Sequence, residues 1–207
     1  MVEITRLKEK AGRVRVYADG EFYAEIDLAV AEESGLVEGF DISERDLREV
    51  CRAGEHALAM RRAFNLLSYR ARSRGEIRDR LVSKHGHTEE TTNSVLVRLE
   101  ELGYLDDREF ARFAARQKAG KYGPKRIAVE LQRAGVSKEI VREVLEEEFS
   151  GRDEVEEARK AVHSRYNTGD VGGSDALARK VYGFLARRGY SPEVCAEIAG
   201  EYRTGQG

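Results

Sequence analysis

The sequence predicts a mainly α protein: three tandem three-helix repeats forming an elongated, curved array, preceded by a small N-terminal β-hairpin segment. Three observations predict it. Charged residues make up 36% of the 207 positions and apolar residues 41%, with two prolines and no tryptophan, a balance that suits helices and argues against a sandwich or barrel. From Ser43 onward apolar residues recur three and four apart, the period of a helix with one buried stripe. The third observation is an internal repeat. Ile77 and Leu81 are followed by Gly86, Thr88 and Glu90; Ile127 and Leu131 by Gly135, Ser137 and Glu139; Val181 and Leu185 by Gly189, Ser191 and Glu193. The physics is the same each time. An apolar pair packs one helix, glycine ends it, Thr or Ser caps the next, and Glu meets the positive end of that helix.

Taken in order, the first 26 residues read as β structure. Val14 and Val16 alternate with Arg13, Arg15 and Tyr17; Asp19-Gly20 supplies a type I′ turn; Phe22, Ala24 and Ile26 return; Ile4 and Leu7 offer a third strand. A hairpin alone is barely stable, so it must lean on a neighbour, and a short helix from about Leu28 to Glu33 is the nearest one. Ser43 caps a helix carrying Leu47 and Val50, which Gly54 is expected to interrupt, and a longer helix with Ala57, Met60, Phe64 and Leu67 comes next. Ser73 caps a further one. The stretch Gly103-Tyr104-Leu105-Asp106-Asp107 is the corner between two units: Gly103 takes the positive φ, Tyr104 and Leu105 plug the gap, and Asp106 caps the helix of the second unit. Pro192 suits a first helical turn. The glycine-rich stretch from Tyr166 to Ser174 reads as a loop inside the third unit. The division expected is 1–42 for the hairpin and short helix, 43–102 for the first repeat with its lead-in helix, 103–150 for the second and 151–207 for the third.

A formal net charge of −2 conceals sorted charge. Asp19 to Glu49 balances at −9, Arg61 to Lys84 at +6, Arg112 to Arg133 at +6, and Glu139 to Glu157 at −7. Blocks of this size create separate positive and negative faces. The two basic blocks hold the candidate binding residues, a discontinuous positive stripe for phosphates or for an acidic protein surface. Arg70, Arg72, Arg74 and Arg78 crowd one helix junction, and Lys121, Lys125 and Arg126 occupy the equivalent junction of the second unit. Arginine forks suit carboxylate or phosphate; the plainer alternative is a solvated face balanced by nearby acids.

Catalytic chemistry finds no foothold. No Gly-x-x-x-x-Gly-Lys-Ser/Thr phosphate loop is present, so no nucleotide hydrolysis, cofactor or enzymatic role is expected. His85-Gly-His87 has no cysteine or acid at metal-ligand spacing, Asp106-Asp107 reads as a helix cap rather than a cation site, and Glu146-Glu147-Glu148 as a solvated helix end. No metal is expected. Cys51 and Cys195 read as unpaired thiols of a reducing compartment. With no early signal-like apolar run and no run of 18 or more apolar residues, the expectation is a cytoplasmic protein with no membrane partner; a monomer is expected as well.

The pattern Arg70-Ala71-Arg72-Ser73 followed by Glu76-Ile77 and Leu81, then Leu99, the Gly103-Tyr104-Leu105-Asp106-Asp107 corner and Phe110-Ala111, resembles the RecX family of regulators of bacterial homologous recombination. Gly123, Ile127, Glu130-Leu131 and Gly135-Val136 continue the likeness. Leu185 to Tyr190 carries it more loosely into the third unit, so that it covers about residues 55–204. The resemblance implies three three-helix repeats that bind the RecA recombinase filament on single-stranded DNA. It further implies modulation, usually inhibition, of strand exchange, ATP hydrolysis and repressor-cleavage stimulation. Two competitors stand beside it: a direct DNA-binding protein reading grooves with its helix–turn–helix pairs, which a pI near 6.2 disfavours, and a scaffold using its acidic segments on a basic partner.

Overall fold

The computed structural model describes residues 1–166 and 174–204, and these divide into two compact units, Met1–Asp106 and Asp107–Gly207. The expected loop at 166–174 falls almost wholly outside the described residues. Most of the described chain is helical, with a small antiparallel sheet at the N-terminus.

In the first unit, β1 (Val2–Lys10), β2 (Arg13–Ala18), β3 (Glu21–Asp27) and a two-residue β4 (Asp41–Ile42) form one sheet in the order β3-β2-β1-β4. Both hairpin turns place two residues at positive φ, Ala11 and Gly12 at 52° and 74°, Asp19 and Gly20 at 50° and 85°, the twist-matched geometry of two-residue turns. The first of these turns and β4 carry no clear sequence signal. Alternation puts Ile4, Val14, Val16, Ala24 and Ile26 in a buried layer. The short helix α1 (Leu28–Glu33) comes next, capped by Asp27, which accepts from the Ala29 N–H at 3.0 Å.

The helix α2 (Glu44–Tyr69) runs unbroken for 26 residues from its Ser43 cap, so the interruption expected at Gly54 does not occur. The glycine is there for contact instead. A Cβ on Gly54 would stand 2.6 Å from the Ile26 Cβ, so only glycine lets the helix approach β3 this closely. One rod then serves two cores: Leu47 and Cys51 pack with the sheet, while Ala59 and Ala63 pack with Ile77, Leu81, Val95, Leu96, Leu99 and Leu105. The remaining helices of this unit are α3 (Arg74–Asp79), continued by a π-helical turn at Arg80–Lys84, and α4 (Glu89–Glu101).

The second unit holds α5 (Asp107–Lys118), α6 (Pro124–Arg133), α7 (Lys138–Phe149), α8 (Glu154–His163), α9 (Asp175–Arg188) and α10 (Pro192–Thr204). Two apolar clusters organise it, one around Ala111, Ile127, Leu131 and Val144, the other around Ala158, Val181, Leu185 and Ile198.

The repeated corner is built three times as the sequence predicts. Ile77, Leu81, Ile127, Val181 and Leu185 have no exposed surface and Leu131 has 3%. Gly86, Gly135 and Gly189 have φ of 72°, 81° and 83°. Thr88 accepts from Thr91 N–H, Ser137 from Ile140 N–H, and Ser191 from Val194 N–H, at 3.1, 3.2 and 3.3 Å. One difference separates the copies. In the second and third, a backbone bond closes the helix end over five residues, Val136 to Leu131 and Tyr190 to Leu185. In the first it spans six, His87 to Leu81 at 3.1 Å. The extra residue is taken up by the π-helical turn.

Candidate interaction surface

The arginine junction lies between α2 and α3. Ser73 is fully buried and its hydroxyl accepts from Glu76 N–H at 3.1 Å, fixing where α3 starts and therefore where the arginines project. Their charge is largely answered within the unit. Arg70 forks onto Glu76 at 2.6 and 2.9 Å, Arg74 reaches Glu100 at 2.5 Å, and Arg78 forks onto Glu89 at 2.6 and 3.0 Å. Arg72 is half-buried and its Nε donates to the Leu66 carbonyl at 3.0 Å; burial and the neighbouring Arg70 push its pKa down. Glu76 feels burial that raises its pKa, yet the hydrogen bond and charge of Arg70 outweigh it and hold the carboxyl below its ordinary value. Arg61 and Arg62, counted in the same basic block, face the other way. Arg61 pairs with Asp27 at 3.0 Å and donates to the Gly12 carbonyl in the first hairpin turn. Arg62 binds Glu25 at 2.8 Å and His87 Nε2 at 2.8 Å.

That last contact sets the state of His87. A guanidinium can only donate, so His87 Nε2 is an acceptor on a neutral ring, and burial together with Arg62 pushes its pKa down to about 4. Among the described residues no group of three or more His, Cys, Asp or Glu side chains could hold a metal ion. His87, Arg62 and Glu25 line a cleft of about 480 Å³ against the sheet. The one-residue insertion before Gly86 is the sequence signal for this attachment.

The second junction lies between α5 and α6, and its work is different. Gly123 N–H donates to the Arg188 carbonyl at 2.8 Å and Lys125 N–H to the Gly189 carbonyl at 3.2 Å. A Cβ on Gly123 would fall 2.4 Å from the Gly189 oxygen, and one on Gly189 2.4 Å from the Arg126 nitrogen. Arg126 spreads over the Tyr122 ring at 4.1 Å, binds Glu130 at 3.2 Å and donates to the Arg187 carbonyl at 3.2 Å. Arg188 returns a bond to the Lys121 carbonyl at 3.2 Å. This is a seam between α6 and the end of α9. Lys121 and Lys125 extend from it exposed, Lys121 Nζ lying 5.5 Å from the Tyr122 ring centroid.

The acidic run Glu146–Glu148 is not simply solvated. Glu147 pairs with Arg108 and Arg112, and Glu148 with Arg116 at 2.8 Å; hydrogen bonds from Arg112 and Arg116 are the chief causes that lower the two carboxyl pKa values. An ion-pair ladder thus ties α7 to α5. At the Gly103 corner, Leu105 is 4% exposed and sits in the first core, whereas Tyr104 stays 57% exposed, edge-on to Phe64 at 5.0 Å. Asp106 stands immediately before the first residue of α5. Cys51 and Cys195 are buried free thiols, and burial pushes Cys51 up to about 12. Among the described residues no helix is long and apolar enough to cross a membrane.

Capped helix corners repeated along the chain define the class of fold, a tandem helical repeat behind a small antiparallel sheet. Two family models match the chain, the first three-helix domain of RecX over residues 59–99 and the second over residues 106–145. The Regulatory protein RecX of Caldanaerobacter subterraneus subsp. tengcongensis is 31% identical over 168 residues, 80% of this chain and 85% of that protein. Those of Bacillus licheniformis and Listeria welshimeri are each 29% identical, over 94% and 88% of this chain and 74% and 68% of theirs. A crystal structure of regulatory protein RecX covers 97% of this chain and 100% of its own with a TM-score of 0.63 at 21% identity. The RecX of Lactobacillus salivarius covers 72% and 97% with a TM-score of 0.58 at 23% identity; both share the fold. The chain belongs to the RecX family of regulatory proteins.

Proposed function

We propose that this chain regulates the RecA recombinase by binding the filament that RecA forms on single-stranded DNA, and that its usual effect is inhibition of strand exchange, ATP hydrolysis and coprotease activity. The observation that supports the reading most is the thrice-built helix corner, since it is the architecture to which the two family models, at 59–99 and 106–145, correspond. The role is that of a non-enzymatic, cytoplasmic, monomeric regulator without cofactor. The working parts are 1–42, 43–102, 103–150 and 151–207.

The contacts proposed are Arg70, Arg72, Arg74 and Arg78 on the first repeat and Lys121, Lys125 and Arg126 on the second. Arg70, Arg74 and Arg78 would exchange Glu76, Glu100 and Glu89 for carboxylates or phosphates of the filament. The Arg78–Glu89 pair, about half exposed on both sides, is worth about 0–1 kcal/mol, so its exchange costs little. Lys125 has no ion pair to break among the described residues.

ATP hydrolysis by the cognate recombinase on single-stranded DNA, with this protein titrated in, tests the reading. The expected result is a saturable change in rate, normally a fall. A rate unmoved at several-fold excess over recombinase overturns it.

A further inference from the structure

The outer face of the N-terminal sheet carries a chemistry that neither the helical repeats nor the ion pairs absorb. Along β1, Arg6, Lys8 and Lys10 alternate with Leu7 and Glu9, so the three cations share one face at intervals of about 6.8 Å. Their cross-strand neighbours there are Tyr17, Arg15 and Arg13, while Leu7 and Glu9 oppose Val16 and Val14 on the core side. Glu25, the carboxylate of β3 on this face, is held by Arg13, Arg15 and Arg62. Among the described residues no carboxylate lies within ion-pair distance of Arg6, Lys8 or Lys10. Lys8 Nζ instead stands 5.5 Å from the Tyr17 ring centroid. Phe22 meets that ring edge-on at 5.9 Å and keeps 57% of its surface in water. The exposed Phe22 ring and the partly buried Tyr17 ring thus stand as a pair beside cations that no carboxylate neutralises.

We propose that this face binds single-stranded nucleic acid, with Arg6, Lys8 and Lys10 taking phosphates and the Tyr17 and Phe22 rings stacking on bases. Cations alone would suit any polyanion. Rings set among them suit a strand whose bases are unstacked and present their faces. A duplex keeps those faces covered, and an acidic protein surface would leave the exposed side of Phe22 uncovered. The inference goes beyond the regulator reading and does not depend on it, because the surface is complete without the recombinase.

The test is fluorescence anisotropy of a labelled oligothymidylate of about 20 nucleotides, titrated with the full chain across a salt series. Phe22→Ala should weaken binding roughly tenfold. The combined Arg6→Gln, Lys8→Gln and Lys10→Gln variant should flatten the slope of log affinity against log salt by about 2, at roughly 0.7 for each phosphate no longer neutralised. All four positions are solvent-exposed, and unchanged far-UV circular dichroism confirms that each variant folds. Absence of oligonucleotide binding by the wild type overturns the proposal, as does equal affinity in both variants. Polyglutamate competing as well as oligothymidylate would also overturn it and assign the face to acidic protein. The assay contains no recombinase, so its failure leaves the regulator reading standing.

Discussion

At the α2–α3 junction Arg70, Arg74 and Arg78 each grip a carboxylate of their own unit, whereas at the α5–α6 junction the backbone of Gly123 and Lys125 is bonded to the Arg188–Gly189 stretch at the end of α9. The two junctions occupy the same place in the repeat pattern and share a basic sequence. The neighbour each meets is different. The first repeat adds a residue before Gly86, winds a π-helical turn, and turns His87 towards Arg62 and the sheet. The second places glycines where two backbones nearly touch. A repeated motif therefore fixes the internal geometry of each unit, while small departures from it record what the unit is attached to.

The comparison breaks most easily at the glycines. Gly189→Ala forces both a positive φ and a clash 2.4 Å from the Arg126 nitrogen, so it should destabilise the second unit by about 3 kcal/mol or more. Gly86→Ala, with φ of 72° and no atom within 4 Å of the added carbon, should cost only about 1 kcal/mol. Urea unfolding of both variants measures the gap; equal losses would remove the seam as a distinct feature.

Acid should separate the two units next. His87 has a folded pKa of about 4 against an ordinary 6.5. The unfolded chain therefore takes up that proton first, and stability present above about pH 6.5 is lost as the pH falls towards 4. Allowing for solvent around the ring, the loss is on the order of 1 kcal/mol. Glu130, Glu147 and Glu148 of the second unit have lowered pKa values, so their contribution fades only below the ordinary carboxylate value of 4.5. Proteolysis or hydrogen exchange tracked from about pH 7 to about pH 4 should show the first unit loosening earlier, and His87→Gln should narrow the difference, with burial of His56 and His85 lowering their pKa values in the same direction. Simultaneous loosening in the wild type would contradict it.

Smaller effects are expected at the corner and the surface. Asp106→Ala should lower stability by about 1 kcal/mol through loss of a cap to α5; lost regulation at unaltered stability would move Asp106 into the binding site. Arg78→Gln, breaking a pair whose side chains are 48% and 52% exposed, should shift unfolding by no more than about 0.5 kcal/mol.

Much of the fold is legible in the residues. Period and caps define the helices, because Ile77, Ile127 and Val181 recur with the same Gly and Ser or Thr signals. Gly54 misleads because propensity scores a helical glycine as a break, while the structure uses it to admit Ile26. Tyr104 reads as a plug but mostly lies exposed, since one ring contact with Phe64 satisfies it. Charge counting locates the basic blocks but does not tell occupied charge from free charge. Of the eight basic side chains from Arg61 to Lys84, only those of Arg80 and Lys84 have no hydrogen-bond or ion-pair partner among the described residues. The unpaired row Arg6, Lys8, Lys10 escapes a reading of the sequence alone, because its period of two becomes a surface only when β1 is paired with β2.

On the proposed reading, the repeat-built chain would engage a recombinase filament through its basic corners. The most direct measurement compares the wild type with a combined Arg70→Ala, Arg72→Ala and Arg74→Ala variant in recombinase ATP hydrolysis on single-stranded DNA. The variant should keep its helicity and modulate the recombinase more weakly. Full modulation by the folded variant would contradict the claim.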